Sequence, residues 1–405
     1  MKYGIMYYKE TDNIGDDIQT YTALRFLPHI DYYINRENLN CFIPSKEELV
    51  SVIMNGWFLH NKLAWPPSPY INPLLTSMHF TCLDSIDVGE KYLQGIGGEY
   101  LKSYEPIGAR DTETEKRLNK NGIKSYFSGC MTLTINPFKN IEKKDYICIV
   151  DLDDNSSKLV KENTKREIKE ITHDLNPNEI SKISFKERME NVEELLKTYQ
   201  SAHVVLTNRL HVALPCIALG TPVILVHKEN FEKDRLGTFL KFVNSYTDKQ
   251  FANTDVSDLI ENPKQNNEEY REIRENLIKR CEEFIEKCEN MEENNVELPS
   301  IIEYKKYVKK ISWYKELGEE IRVKAKNNVY KYEKKYSFLE DEITKLKNLN
   351  EENLEELRKN QQLIIDIQNE LKEKQNTIDE IYNSRGWKFL TKIRKIKKIK
   401  GDKNV

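Results

Sequence analysis

The sequence predicts an α/β fold, with two domains built on parallel sheets and a C-terminal helical and coiled-coil extension. Three observations predict it. Short apolar runs alternate with helix-forming segments through about residue 260; polar turns stand where those runs end; and from about Ser337 the apolar spacing becomes heptad-like. The expected domains are residues 1–143 and 144–262, then a helical region at 263–335 that packs on the body, a coiled coil at 336–382 and a basic amphipathic tail at 383–405.

Taken in order, "KYGIMYY" (2–8) predicts a short buried strand, and "NIGDDIQTYTALRFL" (13–27) a turn entering a helix. Asn13 suits the cap, Gly15 the turn, and Ile18, Tyr21, Ala23 and Leu24 form an apolar stripe. The same cadence returns at 105–129, where Asp111 or Thr112 caps a helix and Thr112 with Glu115 has capping-box spacing. "YICIVDL" (146–152) opens the second half, and "AHVVLTN" (202–208) and "TPVILVH" (221–227) are two more buried strands joined by a helix over about 209–219. Such a βαβ unit favours parallel pairing and a cleft at the carboxyl ends of the strands. "NNEEYREIRENLIKRCEEFIEKCENM" (266–291) is an amphipathic helix expected to pack back on the body.

Composition narrows the function classes. Seven cysteines with no C-x-x-C pair argue against a disulfide framework and a zinc site, so no metal is expected. The start "MKYGIMYYKE" lacks the apolar core of a secretion signal, and no run is long enough to span a membrane. A cytoplasmic protein is expected, with membrane contact only peripheral. Ten of the fourteen a/d positions from Tyr336 to Ile381 are apolar, and asparagines at 350, 353 and 360 suit a register-fixing core, which predicts a homo-oligomer. The segment "SRGWKFLTKIRKIKKIK" (384–400) holds eight Lys or Arg and no acid, although the whole chain is formally −3. Trp387, Leu390, Ile393, Ile396 and Ile399 recur at three-residue spacing between those charges, which describes an interfacial helix on an anionic membrane surface. The acidic body and the apolar stripe fit nucleic acid poorly.

Chemistry concentrates at strand ends. In "LTNRLHVALP", Asn208 and Arg209 follow a strand and His211 falls in the first turn of a helix. Arginine offers a fork matched to carboxylate or phosphate, the helix start favours an anion, and histidine exchanges protons near neutrality. The plainer reading pairs Arg209 with a nearby acid and leaves His211 a satisfied core residue. "IGARDTETEKRL" (107–118) repeats the pattern: capping explains Asp111 but not Arg110, again at a strand's end. "NIGDD" (13–17) is a third such turn. "DLDD" (151–154) has the D-x-D spacing of many sugar transferases, while "GIGG" (95–98) lacks the context of a dinucleotide fingerprint.

Together "NIGDDIQTYTALRFL", "YEPIGARDTETEKRLNKNGIKSYFSGCMTLT" and "SAHVVLTNRLHVALPCIALGTPVILV" resemble the polysaccharide pyruvyl transferase family over about residues 1–250. The resemblance implies two Rossmann-like domains in a GT-B-like arrangement. It also implies transfer of pyruvate from phosphoenolpyruvate to sugar hydroxyls of a cell-surface polysaccharide or its lipid-linked precursor, leaving a ketal. It implies His211 as the proton donor, Arg209 and Arg110 as anchors for the donor's carboxylate and phosphate, and no cofactor. Asp111, Asn208, Asn13, Gly15 and Asp16 are the further substrate-binding candidates, the Asn13–Asp16 turn facing the acceptor sugar or the cleft floor. The tail is similar to a Ser-x-x-Trp-Arg/Lys element of bacterial polysaccharide glycosyltransferases, with Lys392 where proline is usual. Two other functions remain open on sequence alone: a nucleotide-sugar glycosyltransferase, and a non-catalytic coiled-coil scaffold with a decayed transferase domain.

Overall fold

The computed structural model describes residues 1–58, 64–80, 92–180, 182–228, 236–291, 298–348, 365, 366, 368–374 and 376. It divides into a first unit, Met1–Ile301, and a second, Ile302–Val405. The first unit is an α/β fold with two parallel sheets. One sheet takes β1 (Lys2–Tyr7), β2 (Tyr32–Asn35), β3 (Val50–Trp57), β4 (Ile71–His79), β5 (Ile107–Ala109) and β6 (Ser125–Phe127), in the spatial order β2-β1-β3-β4-β5-β6. The other takes β7 (Tyr146–Val150), β8 (Glu167–Ile171), β9 (Val204–Thr207), β10 (Val223–His227) and β11 (Asn244–Thr247), in the order β11-β10-β9-β7-β8. The longer described helices are α1 (Ile14–Leu24), α2 (Gly95–Lys102), α3 (Thr112–Lys120), α4 (Asp154–Glu162), α5 (Phe185–Ser201), α6 (Leu210–Leu219), α7 (Tyr270–Glu289) and α8 (Ile301–Asn348).

Helices cover both faces of each sheet, which is why the strands read as unbroken apolar runs. Along β7, Tyr146, Cys148 and Val150 join the core under α5 and α6, while Ile147 and Ile149 join a separate core with Phe251 and Ile260. This is the two-residue period of a strand buried on both sides. Two helices cross between the halves. α1 follows β1, yet its Ile18 belongs to the core of the second sheet. α7 follows the second sheet, yet its Leu277 and Cys281 pack with Ile5, Ile53 and Met131 of the first half.

The described part of the second unit is chiefly α8, whose 48 residues run through Tyr336, where the heptad pattern begins, to Asn348. Beyond it only residues 365, 366, 368–374 and 376 are described, all helical. The rest of the expected coiled coil and the whole tail at 383–405 lie outside the described residues. No described helix is long and apolar enough to cross a membrane.

Candidate active site

Each sheet reverses its strand order beside its first strand, at β1/β3 and at β7/β9. At such a point the loops leave the two strands in opposite directions, opening a crevice at their carboxyl ends. In the second sheet Val150 stands level with Thr207, so the chain leaves β7 at Asp151 beside the point where it leaves β9. Arg209 is the N-cap residue of α6 and His211 lies in that helix's first turn, as the sequence predicts. The helix is apolar on nearly every side because it is buried between strands and neighbouring helices, and Gly220 closes it in the left-handed conformation at φ 73°. Arg209 Nε donates to Asp151 Oδ2 at 3.0 Å and its Nη2 to Asp174 Oδ1 at 2.7 Å. The plainer expectation, an arginine paired with nearby acids, therefore describes Arg209 as it stands. Asn208 is exposed at the end of β9.

The first half contributes the turn after β1. Asn13 Oδ1 accepts from Gly15 N at 2.8 Å and caps α1. The acids Asp16 and Asp17 follow in the first turn, where the helix dipole favours them. This turn is tied to the second half by backbone: Asn13 forms an antiparallel bridge with Asp174, Ile14 N donates to His173 O at 3.0 Å, and Leu175 N to Asp12 O at 2.5 Å. Gly15 then lies directly against His211. A Cβ at position 15 would sit 3.1 Å from His211 Nδ1 and 2.9 Å from Asn13 Oδ1, so a side chain there would make these neighbours give way. Asp16 accepts from Thr11 Oγ1 at 2.7 Å and from Gln19 Nε2 at 3.3 Å. Thus Asn13 and Gly15 stand with Arg209 and His211 in one place, while Asp16 turns to Thr11 and Gln19.

Arg110 and Asp111 form a second group, at the ends of β4 and β5. Arg110 is 1% exposed, and its Nε lies 3.7 Å from Asp111 Oδ2. The other neighbour of that carboxylate is His79 Nδ1, at 2.5 Å, while Asp111 Oδ1 accepts from Thr114 N at 2.8 Å. Burial pushes the Asp111 carboxyl up, but His79, Arg110 and the Thr114 amide together hold it below its ordinary value. Asp111 is the cap of α3, and the expected Thr112–Glu115 capping box gives way to it: Thr112 Oγ1 instead meets Thr238 Oγ1 at 2.9 Å. Asp111 is thus a buried structural carboxylate. Tyr8 links the groups electrostatically, since both Arg110 and Asp16 act on its buried phenol.

Sequence reasoning passed over several residues here. His79 ends the apolar run of β4 just as Arg110 ends β5, and the same strand-end rule would have found it. Asp17 and Arg188 form a buried pair between the halves, with Nε to Oδ2 at 3.0 Å and Nη2 to Oδ1 at 2.5 Å. Arg188 also donates to Tyr8 O at 2.7 Å and Lys9 O at 3.3 Å. His173, buried beside Asp151, shares a 2.7 Å hydrogen bond between its Nε2 and the Tyr199 hydroxyl.

Burial lowers the His173 pKa to about 4; Asp151 opposes the shift and Arg209 adds to it. Because the folded value lies below the unfolded one, the unfolded chain binds the proton more readily. Stability is therefore full above about pH 6.5 and is lost as pH falls toward 4. The loss should be about 3 kcal/mol for this residue. Thermal melts of His173→Gln should show a shallower decline over that window than the native protein, and equal declines would refute the assignment.

Two of the three acids of "DLDD", the pair at D-x-D spacing, are engaged. Asp151 holds Arg209 and His173 N, and Asp153 Oδ1 caps α4 by accepting from Asn155 N and Ser156 N at 3.1 and 3.0 Å. Beside them a groove of about 550 Å³, bordered by Asp151, Asp154, Ser157, Lys158 and Thr172, continues along the ends of β7 and β8.

Residues 85–226 match the family model described as polysaccharide pyruvyl transferase. That match takes in Arg110, Asp111, Asn208, Arg209 and His211. No curated protein matches the sequence. Solved structures are distantly similar, two of them as follows. One is a functionally uncharacterised protein from Klebsiella pneumoniae, with 10% identity over 61% of this chain and 92% of that chain, at a TM-score of 0.36. The other is the UDP-GlcNAc 2-epimerase of Methanocaldococcus jannaschii in complex with UDP-GlcNAc and UDP, with 12% identity over 77% of this chain and 100% of that chain, at a TM-score of 0.34.

Proposed function

We propose that this chain transfers pyruvate from phosphoenolpyruvate to two hydroxyls of a sugar in a cell-surface polysaccharide or its lipid-linked precursor, forming a ketal. The observation that carries the reading is the close approach of Gly15 to His211, which brings two motifs 196 positions apart side by side. The family match supports the same class of activity. In the proposed reaction His211 protonates the methylene carbon of the enolpyruvyl group while a sugar hydroxyl bonds to the adjacent carbon. The first hydroxyl's proton replaces the one His211 gave up; a second hydroxyl of the same sugar then displaces phosphate at that carbon, its own proton leaving on the phosphate. Arg209 holds the donor's anionic end, Arg110 is assigned a supporting positive charge, and Asn13, Asp16 and Asn208 are assigned to the acceptor. The two parallel sheets and the helix returning from the second half to the first support a GT-B-like arrangement of Rossmann-like halves.

A thermal-shift titration tests the donor. A ligand that binds only the folded protein stabilises it by mass action, about 2.7 kcal/mol at a hundred-fold excess over Kd. Phosphoenolpyruvate should raise the melting temperature and UDP should not. The reverse pattern would favour a nucleotide-sugar enzyme, and the engaged carboxylates of Asp151 and Asp153 speak against that outcome.

For the C-terminal segments, we assign homo-oligomerisation to residues 336–382 and reversible docking on the anionic inner leaflet to 384–400, near lipid-linked acceptors. The heptads and the eight basic residues between apolar ones support this. The full chain should sediment as an oligomer at micromolar concentration and lose that state on truncation at Tyr336. It should float with anionic vesicles in a salt-sensitive way. A monomer before truncation, or equal flotation with zwitterionic vesicles, would refute the respective half.

A further inference from the structure

The charge balance at Arg209 is wrong for an anion as it stands. One guanidinium faces two carboxylates, Asp151 on Nε and Asp174 on Nη2, so the cluster is net negative where a donor bearing a carboxylate and a phosphate is to bind. The two acids are not equivalent. Asp151 is 12% exposed and its Oδ2 also accepts from His173 N at 2.9 Å, which fixes it. Asp174 is 70% exposed and reaches Arg209 by a single 2.7 Å bond. An exposed single-bond pair of this kind is weak, whereas a half-buried, doubly held one is not. The Asp174 backbone, moreover, is pinned by its bridge to Asn13, so its side chain can swing into water while the junction between the halves stays in place.

We propose that Asp174 is an internal competitor for the donor: its carboxylate and the donor's carboxylate take the same Nη2 of Arg209, and donor binding displaces it. Asp174 thereby sets donor affinity, while Asp151 orients the guanidinium for whichever carboxylate it holds. The proposal rests on the phosphoenolpyruvate reading above.

Isothermal titration of the full-length protein with phosphoenolpyruvate tests it. Asp174→Asn removes the competing charge and keeps the size and the backbone bridge; it should lower Kd and KM for phosphoenolpyruvate about five-fold. Asp151→Asn should raise both by about ten-fold or more by freeing the guanidinium to turn. The Asp174→Asn gain should shrink as salt is raised, because its origin is an exposed charge. A Kd for Asp174→Asn equal to or weaker than that of the native protein, with native binding intact, overturns the competition and leaves the donor assignment standing. Absence of phosphoenolpyruvate binding in both proteins overturns the donor assignment and this proposal together. A purely structural role for Asp174 would show as loss of melting temperature with no tightening.

Discussion

His211→Ala should abolish pyruvyl transfer while leaving phosphoenolpyruvate binding nearly unchanged. A positioned proton donor contributes on the order of a hundred- to ten-thousand-fold to rate, and the methylene carbon has no comparable acid in water at neutral pH. Arg209→Ala should instead weaken donor binding, by roughly ten- to a hundred-fold, the effect of losing one charge-assisted hydrogen bond. Gly15→Ala separates geometry from chemistry. The added methyl would stand 3.1 Å from His211 Nδ1, forcing the ring or the turn to yield by a few tenths of an ångström. Turnover should fall on the order of ten- to a hundred-fold with the His211 and Arg209 side chains still present. Single-turnover transfer and donor titration of the three variants check this, and near-native transfer by His211→Ala would remove the proton-donor role.

The second large effect concerns the join between the halves. Arg188→Ala strips Asp17 of both its guanidinium bonds and takes a donor from the buried Tyr8 carbonyl. Removing one member of a buried pair costs about 3–5 kcal/mol, because the other charge remains without its partner. Replacing both, as Asp17→Leu with Arg188→Met, should recover most of that loss, since no buried charge is left behind. Chemical denaturation measures both changes. A loss below about 1 kcal/mol for Arg188→Ala would show the join to be wetter than its geometry indicates.

Much of this was legible in the sequence because it is local. The strand at 146–150, the helix at 210–219 and the Asn13 cap follow from side-chain period and capping chemistry, which act over a few residues. The strand-end rule found Arg110 and Arg209 for the same reason. Partnership was not legible. Nothing near Arg209 in sequence announces Asp174, and Asp17 and Arg188 are 171 positions apart. The two expected donor anchors consequently emerge with counter-charges of their own, Asp151 and Asp174 for one and Asp111 for the other. Asp111 itself could be read as a cap from its spacing, but its buried histidine partner comes from another strand.

The return of α7 to the first half has a consequence for how the protein is made. Ile5, Ile53 and Met131 are translated early, yet their cover, Leu277 and Cys281, leaves the ribosome more than a hundred residues after Met131. Throughout that interval the nascent first half carries an apolar face that α1 covers only in part, a natural surface for a chaperone and a hazard for self-association. Shortening the gene from its 3′ end past the codon for Tyr270 therefore strips the domain farthest from the cut.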